Sequence, residues 1–450
     1  MYLVGGAVRD ILRGKTSHDW DLATDARPEE VIALFRGRKG SKGSRGFVIP
    51  TGIKHGTVTV HFNELVLEVT TFRSESGYSD GRRPDNVEFG VSIEEDLSRR
   101  DFTMNAAAYK LPSGPLLDPF DGRGDIKKRV IRCVGKSEER FAEDGLRPIR
   151  AVRFASQLDF TVDEKVLAAI PGALGLTAKV APERVREELD KIINSGKPST
   201  ALLLMEQTGL LGLLIPELAA CRGVAQSRGD GFGFHRFDVM DHSILACDYA
   251  AHEKASPAVR MAALYHDLGK PQTAQTGKDG NVSFYKHEKK SASLTRQILL
   301  RFRYPNAVIK KVCHLVEEHM FHYDEIWTDA AVRRFIIRAG EENLPDLFAL
   351  RRADAYGMAK KEPPRDFLLP LVNRVEKILA QSEALSLKDL AVSGDDLKVL
   401  GIPQGKRMGI ILKELMEAVL EDPELNTREK LLEIAGKINR RYGTSGTSCS

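Results

Sequence analysis

Two rhythms of apolar and polar positions divide this chain. As far as about Ile126, strand-like and helix-like patterns alternate; from Val162 to Leu218, and again after about Pro363, apolar positions recur at helical spacing. In the first part Tyr2, Leu3 and Val4 predict a short strand, Gly5 and Gly6 a turn, and Val8 to Leu12 the opening of a helix. Trp20 and Leu22 alternate with Asp19 and Asp21, which predicts a strand carrying both carboxylates on one face. Val58 to Phe72 predicts a hairpin that turns near Asn63 and Glu64, with Glu68 on its second strand. In the second part Val180 to Ile193 and Ala201 to Leu218 each have an apolar and a charged face, so their leucines belong to a core.

At 450 residues, several domains are expected. A hydrophobic fraction of 42% and a charged fraction of 29% are those of a water-soluble chain, and no apolar run approaches the roughly 20 residues of a membrane span. The N-terminus enters the first strand at once, without the basic and apolar segments of a signal peptide, which points to a cytoplasmic protein. Five scattered cysteines form no CxxC pair, so neither a disulfide framework nor a zinc ribbon is expected. The net charge of +4 is too small to establish nucleic-acid binding.

The densest chemistry lies near the N-terminus. The glycine turn lets backbone approach a phosphate, Arg9 adds positive charge, and Asp19 and Asp21 are close enough to repel unless divalent cations lie between them. Together they read as a two-metal phosphoryl-transfer site; for the DxD alone, an N-cap plus a turn carboxylate is the alternative. Farther on, Arg100 can contact phosphates, Asp101 can accept from a ribose hydroxyl, and Asn105 can orient either. Asp144 and Arg147 share a face if they lie on one helix, although Gly145 and Pro148 are poor helix-interior residues. Cytosine and adenine each present an amine beside a ring-nitrogen acceptor. A carboxylate with a guanidinium therefore accepts both and refuses uracil and guanine.

GGAVRD (Gly5 to Asp10) followed by SHDWDLATDA (Ser17 to Ala26) resembles the signature of class II tRNA nucleotidyltransferases and bacterial poly(A) polymerases, and later motifs extend the likeness over nearly the whole chain. The resemblance implies an α+β protein: an N-terminal nucleotidyltransferase α/β head with a mixed sheet (1–126), an all-helical neck that recognises the base (127–225), an HD body (226–362) and a helical tRNA-binding tail (363–450). It implies Mg2+ held by Asp19 and Asp21, with Glu68 as a third acidic residue, and a triphosphate held by Gly5, Gly6 and Arg9. FAEDGLRPIR resembles the family's EDxxR motif, in which Asp144 and Arg147 serve as the template and Glu143 orients Arg147; Arg150 and Arg153 would serve the triphosphate or tRNA. Expected partners are CTP, ATP and tRNA, with no membrane. The expected reaction adds C, C and A to tRNA 3′ ends without a nucleic-acid template and releases pyrophosphate. Addition of A alone, poly(A) synthesis and HD phosphohydrolysis are the alternatives.

Smaller motifs refine this picture. Ile49 to Val60 resembles the transferase branch, and Phe72 to Phe89 resembles the mobile loop that lets such enzymes change from cytidine to adenosine. Asp118 and Asp125, in the family's connector, read as turn caps. Arg36 to Arg45 departs from the family as a basic Gly/Ser run, either a solvated insertion or a phosphate-binding loop. Family members usually carry a helical segment before the first strand, so a start at Met1 implies truncation or a differently packed head.

The order His242, His266–Asp267, Asp354 resembles the HD phosphohydrolase superfamily, with His287 and His319 as additional ligands or phosphate partners and His314 and His322 as surface residues. Such a set suits a divalent transition metal whose bound water attacks a phosphoester; satisfied structural histidines are the alternative. GIPQGKRMG in the tail can present helix-start amides to an RNA backbone, or form a plain basic turn, and the terminal GTSGTSCS lacks the apolar content to fold.

Overall fold

The computed structural model describes residues 1–17, 20–35, 47–76, 86–226, 236–278, 280–324, 326–381 and 387–444. Asp19, the basic run 36–45, the loop tip 77–85 and the terminal 445–450 lie outside the described residues.

The head is a mixed seven-stranded sheet in the order β3-β4-β5-β2-β1-β8-β9. Its strands are β1 (Tyr2–Val4), β2 (Trp20–Thr24), β3 (Phe47–Gly52), β4 (Thr57–Phe62), β5 (Leu65–Thr71), β8 (Ala108–Lys110) and β9 (Leu116–Leu117). The hairpin β4–β5 turns at Asn63, which takes a positive φ of 57°. That turn sets the register: Val69 and Thr71 are buried while Val66 and Glu68 are exposed. One face of the sheet packs Leu3, Leu22, Val58, Val60 and Val69 against Ala7 and Val8 of α1 (Gly5–Leu12) and Val31 of α2 (Pro28–Phe35). On the other face Val4, Ala23 and Phe72 meet Leu97 of α3 (Ile93–Ser98). The expected mobile loop is a hairpin of β6 (Arg73–Ser76) and β7 (Asn86–Phe89), paired along four residues.

Three expectations are corrected here. Gly5 and Gly6 are the first turn of α1, not a turn ahead of it, because Gly5 reaches a φ of +67° and the chain coils at once. Asp125 caps no turn: it is buried in α4 (Gly122–Lys128) and accepts the Thr103 hydroxyl at 2.7 Å, whereas Asp118 accepts the Gly122 and Arg123 amides that open that helix. His314 is half-buried and bonds the Ala339 carbonyl at 2.6 Å.

The remainder is helical. α5 (Ser137–Glu143) and α6 (Arg147–Leu158) lead into α7 (Glu164–Thr177), α8 (Pro182–Ile193) and α9 (Pro198–Gln207), followed by the short α10 (Leu210–Leu214) and α11 (Pro216–Ala219). Two parallel residues each of β10 (Val130–Ile131) and β11 (Thr161–Val162) tie this region together. Then come α12 (Val239–His252), α13 (Pro257–Tyr265), α14 (Lys270–Thr273), a small hairpin of β12 (Ala274–Thr276) and β13 (Val282–Phe284), α15 (His287–Arg301), α16 (Asn306–Glu318), α17 (Asp329–Ala339), α18 (Leu344–Ala359) and α19 (Leu369–Ala380). A single apolar core runs from Phe102 to Ile378 and takes in every one of these helices except α14. The tail, α20 (Gly394–Val399), α21 (Lys406–Glu421) and α22 (Arg428–Thr444), has its own core around Leu397, Ile411, Leu415 and Leu431. It is attached by Arg333 and Arg334 of α17, which reach the Leu420 carbonyl and the carboxylates of Glu417 and Glu421.

Candidate functional site

The open face of the head sheet carries the acidic residues. β2 and β5 run parallel, and their register sets Asp21 directly beside Glu68. Asp21 is half-buried and Glu68 exposed. Gly5 is required where β1 meets α1: a Cβ there would lie 3.0 Å from an Asp21 carboxylate oxygen and 3.2 Å from Nη1 of Arg100. The missing side chain lets the first turn of α1, with its unsatisfied amides, stand beside the acidic pair. Oxygen ligands alone, paired on rigid strands and open to solvent, fit Mg2+ shared with substrate phosphates.

Around this pair lies a cavity of about 760 Å3 that extends from the head to Asp144, α6 and α8. Nine cationic and five carboxylate side chains line it among the described residues. The surplus of four positive charges equals in size the charge a nucleoside triphosphate brings. The arginines are held by one another's partners rather than left loose. Arg9 bonds both oxygens of Asp10 and, at 3.1 Å, the Asn105 side chain. Arg99 and Arg100 share the buried Asp96. Asp101 accepts Nε of Arg150 at 2.7 Å and the Phe102 amide at 2.8 Å, with Asn105 at 3.4 Å. Burial opposes charge on Asp101, but Arg150 and Arg147 override it and hold the carboxyl below its usual value. Arg153 is turned inward, buried against Glu188 at 2.7 Å, and burial pushes its pKa down to about 10.

Asp144 and Arg147 do not share a helix face, contrary to expectation. α5 ends at Glu143, Asp144 is extended (φ −145°, ψ 113°), and α6 begins at Arg147. The break has two causes. A Cβ on Gly145 would lie 2.6 Å from the Leu176 carbonyl oxygen, so the chain there is pressed against the end of α7. Pro148 sits in the first turn of α6, where its missing N–H costs nothing. Both side chains nonetheless line the cavity. Arg147 is oriented by Glu143 as expected, and also donates to the carbonyls of Arg140 and Arg99. Asp144 is gripped by both terminal nitrogens of Arg184, at 3.2 and 2.7 Å. Arg184, on α8, was missed from sequence, as were Arg73, Arg99 and Lys191 in the same lining. The 40 residues between Asp144 and Arg184 leave no local pattern to read.

A second cluster is buried inside the helical body. Nε2 atoms of His242 and His266 lie 2.9 Å apart, with Asp267 and Asp354 at 3.2 to 3.6 Å. On the other side of Asp267 are His287 at 3.2 Å and His319 at 3.9 Å. His266, His287 and His319 each direct Nδ1 to a backbone carbonyl, of Ala263, Phe284 and Val316. That puts a proton on Nδ1 and turns Nε2 toward the carboxylates, where it can meet a cation. Neither Asp267 oxygen nor His287 Nε2 has an aligned hydrogen-bond partner. Two triads, His242–His266–Asp267 and Asp267–His287–His319, therefore have metal-ligand geometry with Asp267 common to both. Burial opposes charge on His266, yet Asp267 and Asp354 raise its pKa to about 10, so the cluster's field favours a cation. Lys270 supplies one, 2.6 Å from Asp267, and Arg351 contacts Asp354; neither was picked out from sequence, although Lys270 is three residues beyond Asp267. His322 is exposed at the rim of the adjoining cavity of about 800 Å3.

Three family models match this chain. Residues 1–132 match the Poly A polymerase head domain, 159–222 the probable RNA and SrmB-binding site of polymerase A, and 235–359 the HD domain. The CCA-adding enzyme of Lactobacillus johnsonii is 32% identical over 453 residues, 96% of this chain and 92% of that one. The A-adding tRNA nucleotidyltransferase of Deinococcus radiodurans is 35% identical over 430 residues, 92% of this chain and 90% of that one. The crystal structure of the Bacillus stearothermophilus CCA-adding enzyme in complex with CTP superposes with a TM-score of 0.71 at 30% identity, covering 100% of this chain and 94% of that one. No helix among the described residues is long and apolar enough to cross a membrane. An acidic pair beside a glycine-opened helix, an arginine-lined cavity and a buried His–Asp cluster thus occur in one chain whose likeness to these enzymes runs nearly end to end, and the chain belongs to the tRNA nucleotidyltransferase family that includes the CCA-adding enzymes.

Proposed function

We propose that this enzyme adds C, C and A to the 3′ end of tRNA from CTP and ATP in the cytoplasm, without a nucleic-acid template. The observation that carries this reading is the single cavity that unites an acidic pair, four surplus positive charges and the pair Asp144–Arg147. Asp21 and Glu68, with Asp19, would hold Mg2+, which when bound lowers the pKa of an attacking hydroxyl and neutralises developing charge. The α1 amides and the arginine wall bind the triphosphate and orient its α-phosphate. The tRNA 3′ hydroxyl attacks that phosphorus in line, its bond to the pyrophosphate oxygen breaks, and pyrophosphate leaves. Asp101 stays ionised and accepts from the ribose. Asp144 accepts from the base amine and Arg147 donates to the ring nitrogen. A uracil carbonyl would face Asp144 acceptor to acceptor, costing about 1–3 kcal/mol per unpaired group.

The test uses three tRNA transcripts, ending before CCA, after C and after CC, with CTP and ATP singly and together. Completion of all three to CCA, and no further, is the expected result. Extension of the CC-ended tRNA alone would make the enzyme A-adding, and long A tracts would make it a poly(A) polymerase.

For the buried cluster we propose a divalent transition metal that supports phosphoester hydrolysis. The support is three imidazoles held by their Nδ1 bonds to carbonyls with Nε2 turned toward Asp267. Metal analysis of the purified protein and of Asp267→Ala tests it; equal metal content in both would remove the reading.

A further inference from the structure

Adjoining the catalytic cavity, at the ends of α1 and α6, lies a second concavity, of about 720 Å3, that nothing above uses. Arg13, Lys15, Arg123, Lys127 and Arg129 line it, with Asp159 as the one carboxylate. Arg13 is tied to Asp10, and the Arg129–Asp159 contact, at 3.6 Å between exposed side chains, is weak. Lys15, Arg123 and Lys127 are exposed and have no carboxylate partner among the described residues. The floor is apolar, with Leu158 and the buried ring of Phe160, over which the Arg13 guanidinium lies 5.5 Å from the centroid.

A structural reason for these cations exists, and it is too small. Three helices end here: α1 at Arg13, α4 at Arg129 and α6 at Asp159. Three C-terminal dipoles present about one and a half negative charges in all. Five cations against Asp159 and the Asp10 that holds Arg13 leave three positive charges, about twice that. The excess is left for a ligand.

Location and exposure indicate which ligand. α1 and α6 both run from the catalytic cavity into this pocket, and the two linings adjoin: Asp10 and Gln157 line the cavity, and their chain neighbours Ile11 and Leu158 line the pocket. A strand that enters the cavity can therefore lie against the pocket with its next phosphates. A small polyphosphate would need enclosed donors, whereas these cations are long, solvated and spread around a rim. Such contacts grip a phosphodiester backbone without reading sequence, as an enzyme serving every tRNA requires. We propose that this pocket docks the sugar–phosphate backbone of tRNA near its 3′ end while that end occupies the catalytic cavity. The proposal rests on tRNA being the substrate.

The experiment measures tRNA binding by fluorescence anisotropy with the full chain, so it gives an answer whether or not nucleotide is transferred; transfer in the wild type tests the function separately. Lys15→Glu/Lys127→Glu, both at exposed positions, is expected to raise the tRNA Kd by roughly tenfold and to reduce the slope of log Kd against log salt by about two, between about 50 and 200 mM. The KM for ATP and kcat at saturating tRNA should not change. Lys128→Glu, an exposed neighbour outside the pocket, makes half the charge change and should weaken binding less than twofold. An unchanged Kd in the double variant overturns the proposal, and so does an equal loss in Lys128→Glu, which would reveal only bulk charge. If the double variant instead loses inhibition by inorganic triphosphate while binding tRNA normally, the pocket belongs to a free polyphosphate and the RNA assignment falls.

Discussion

The head cavity and the buried histidine cluster both gather carboxylates, and both are proposed above to hold divalent cations, yet they are built in opposite ways. In the head, Asp21 and Glu68 sit on a sheet face open to solvent, and their neighbours are arginines. In the body, His242, His266, Asp267, His319 and Asp354 are all at most 5% exposed, and their neighbours are one another. The contrast teaches what each place is for. A hard oxygen pair in water binds its ion weakly and completes the shell with substrate phosphates, so ion and nucleotide can come and go with every addition. Imidazoles held at Nδ1 form a closed set, and on the reading proposed above an ion bound there is retained through many turnovers.

The sharpest way to break the comparison is to cut each site and watch the other. Asp21→Ala should lower nucleotide addition by at least about a thousandfold, a loss of several kcal/mol of transition-state stabilisation. Its bound transition metal, read by elemental analysis, should not change. Loss of that metal in Asp21→Ala would show that the two sites are coupled. Next in size is specificity. Asp144→Ala and Arg147→Ala should each narrow the preference for CTP over UTP by roughly 10- to 100-fold, measured as a ratio of kcat/KM, because one unpaired polar group is worth about 1–3 kcal/mol. Chelation comes next: EDTA followed by gel filtration should abolish addition until Mg2+ is restored, while leaving most of the transition metal in place. A metal-free protein after the same brief treatment would erase the distinction between open and closed sites.

The smallest expected effect concerns acid stability. Asp96 is buried, and although burial disfavours its charge, Arg99 and Arg100 hold its pKa below the usual value. A depressed carboxylate contributes stability that is complete above the unfolded pKa of about 3.9 and is lost as pH falls through the lower folded value. Urea midpoints should therefore fall below about pH 4 in the wild type, and fall less steeply in Asp96→Asn. Parallel acid limbs would show that another group dominates.

What could be read from the chain alone follows the reach of each signal. The turn near Asn63 was enough to place Glu68 on the second strand of the hairpin, because that signal is local; its place beside Asp21 came only from the resemblance, since the β2–β5 pairing joins distant parts of the chain. The HD order was legible because its residue types and sequence are distinctive, and the structure brings all six together around Asp267. The Asp144–Arg147 spacing misled: i,i+3 reads as one helix face, but the clash that Gly145 avoids involves Leu176, which is distant in sequence. Arg184 was invisible for the same reason, since only tertiary packing brings α8 to Asp144. Arg153 read as part of a basic surface, and its burial against Glu188 is likewise a fact of packing.

The tail's separate core also divides the molecule in time. Because Leu397, Ile411, Leu415 and Leu431 bury one another rather than joining the core that ends at Ile378, opening them leaves the long core intact. The tail is then its own cooperative unit, and its amides exchange with solvent through an event that the rest of the chain does not share. What tethers it is mainly the two arginines of α17, half-buried Arg334 and buried Arg333, so the tail can release and re-form many times within the life of a single global fold.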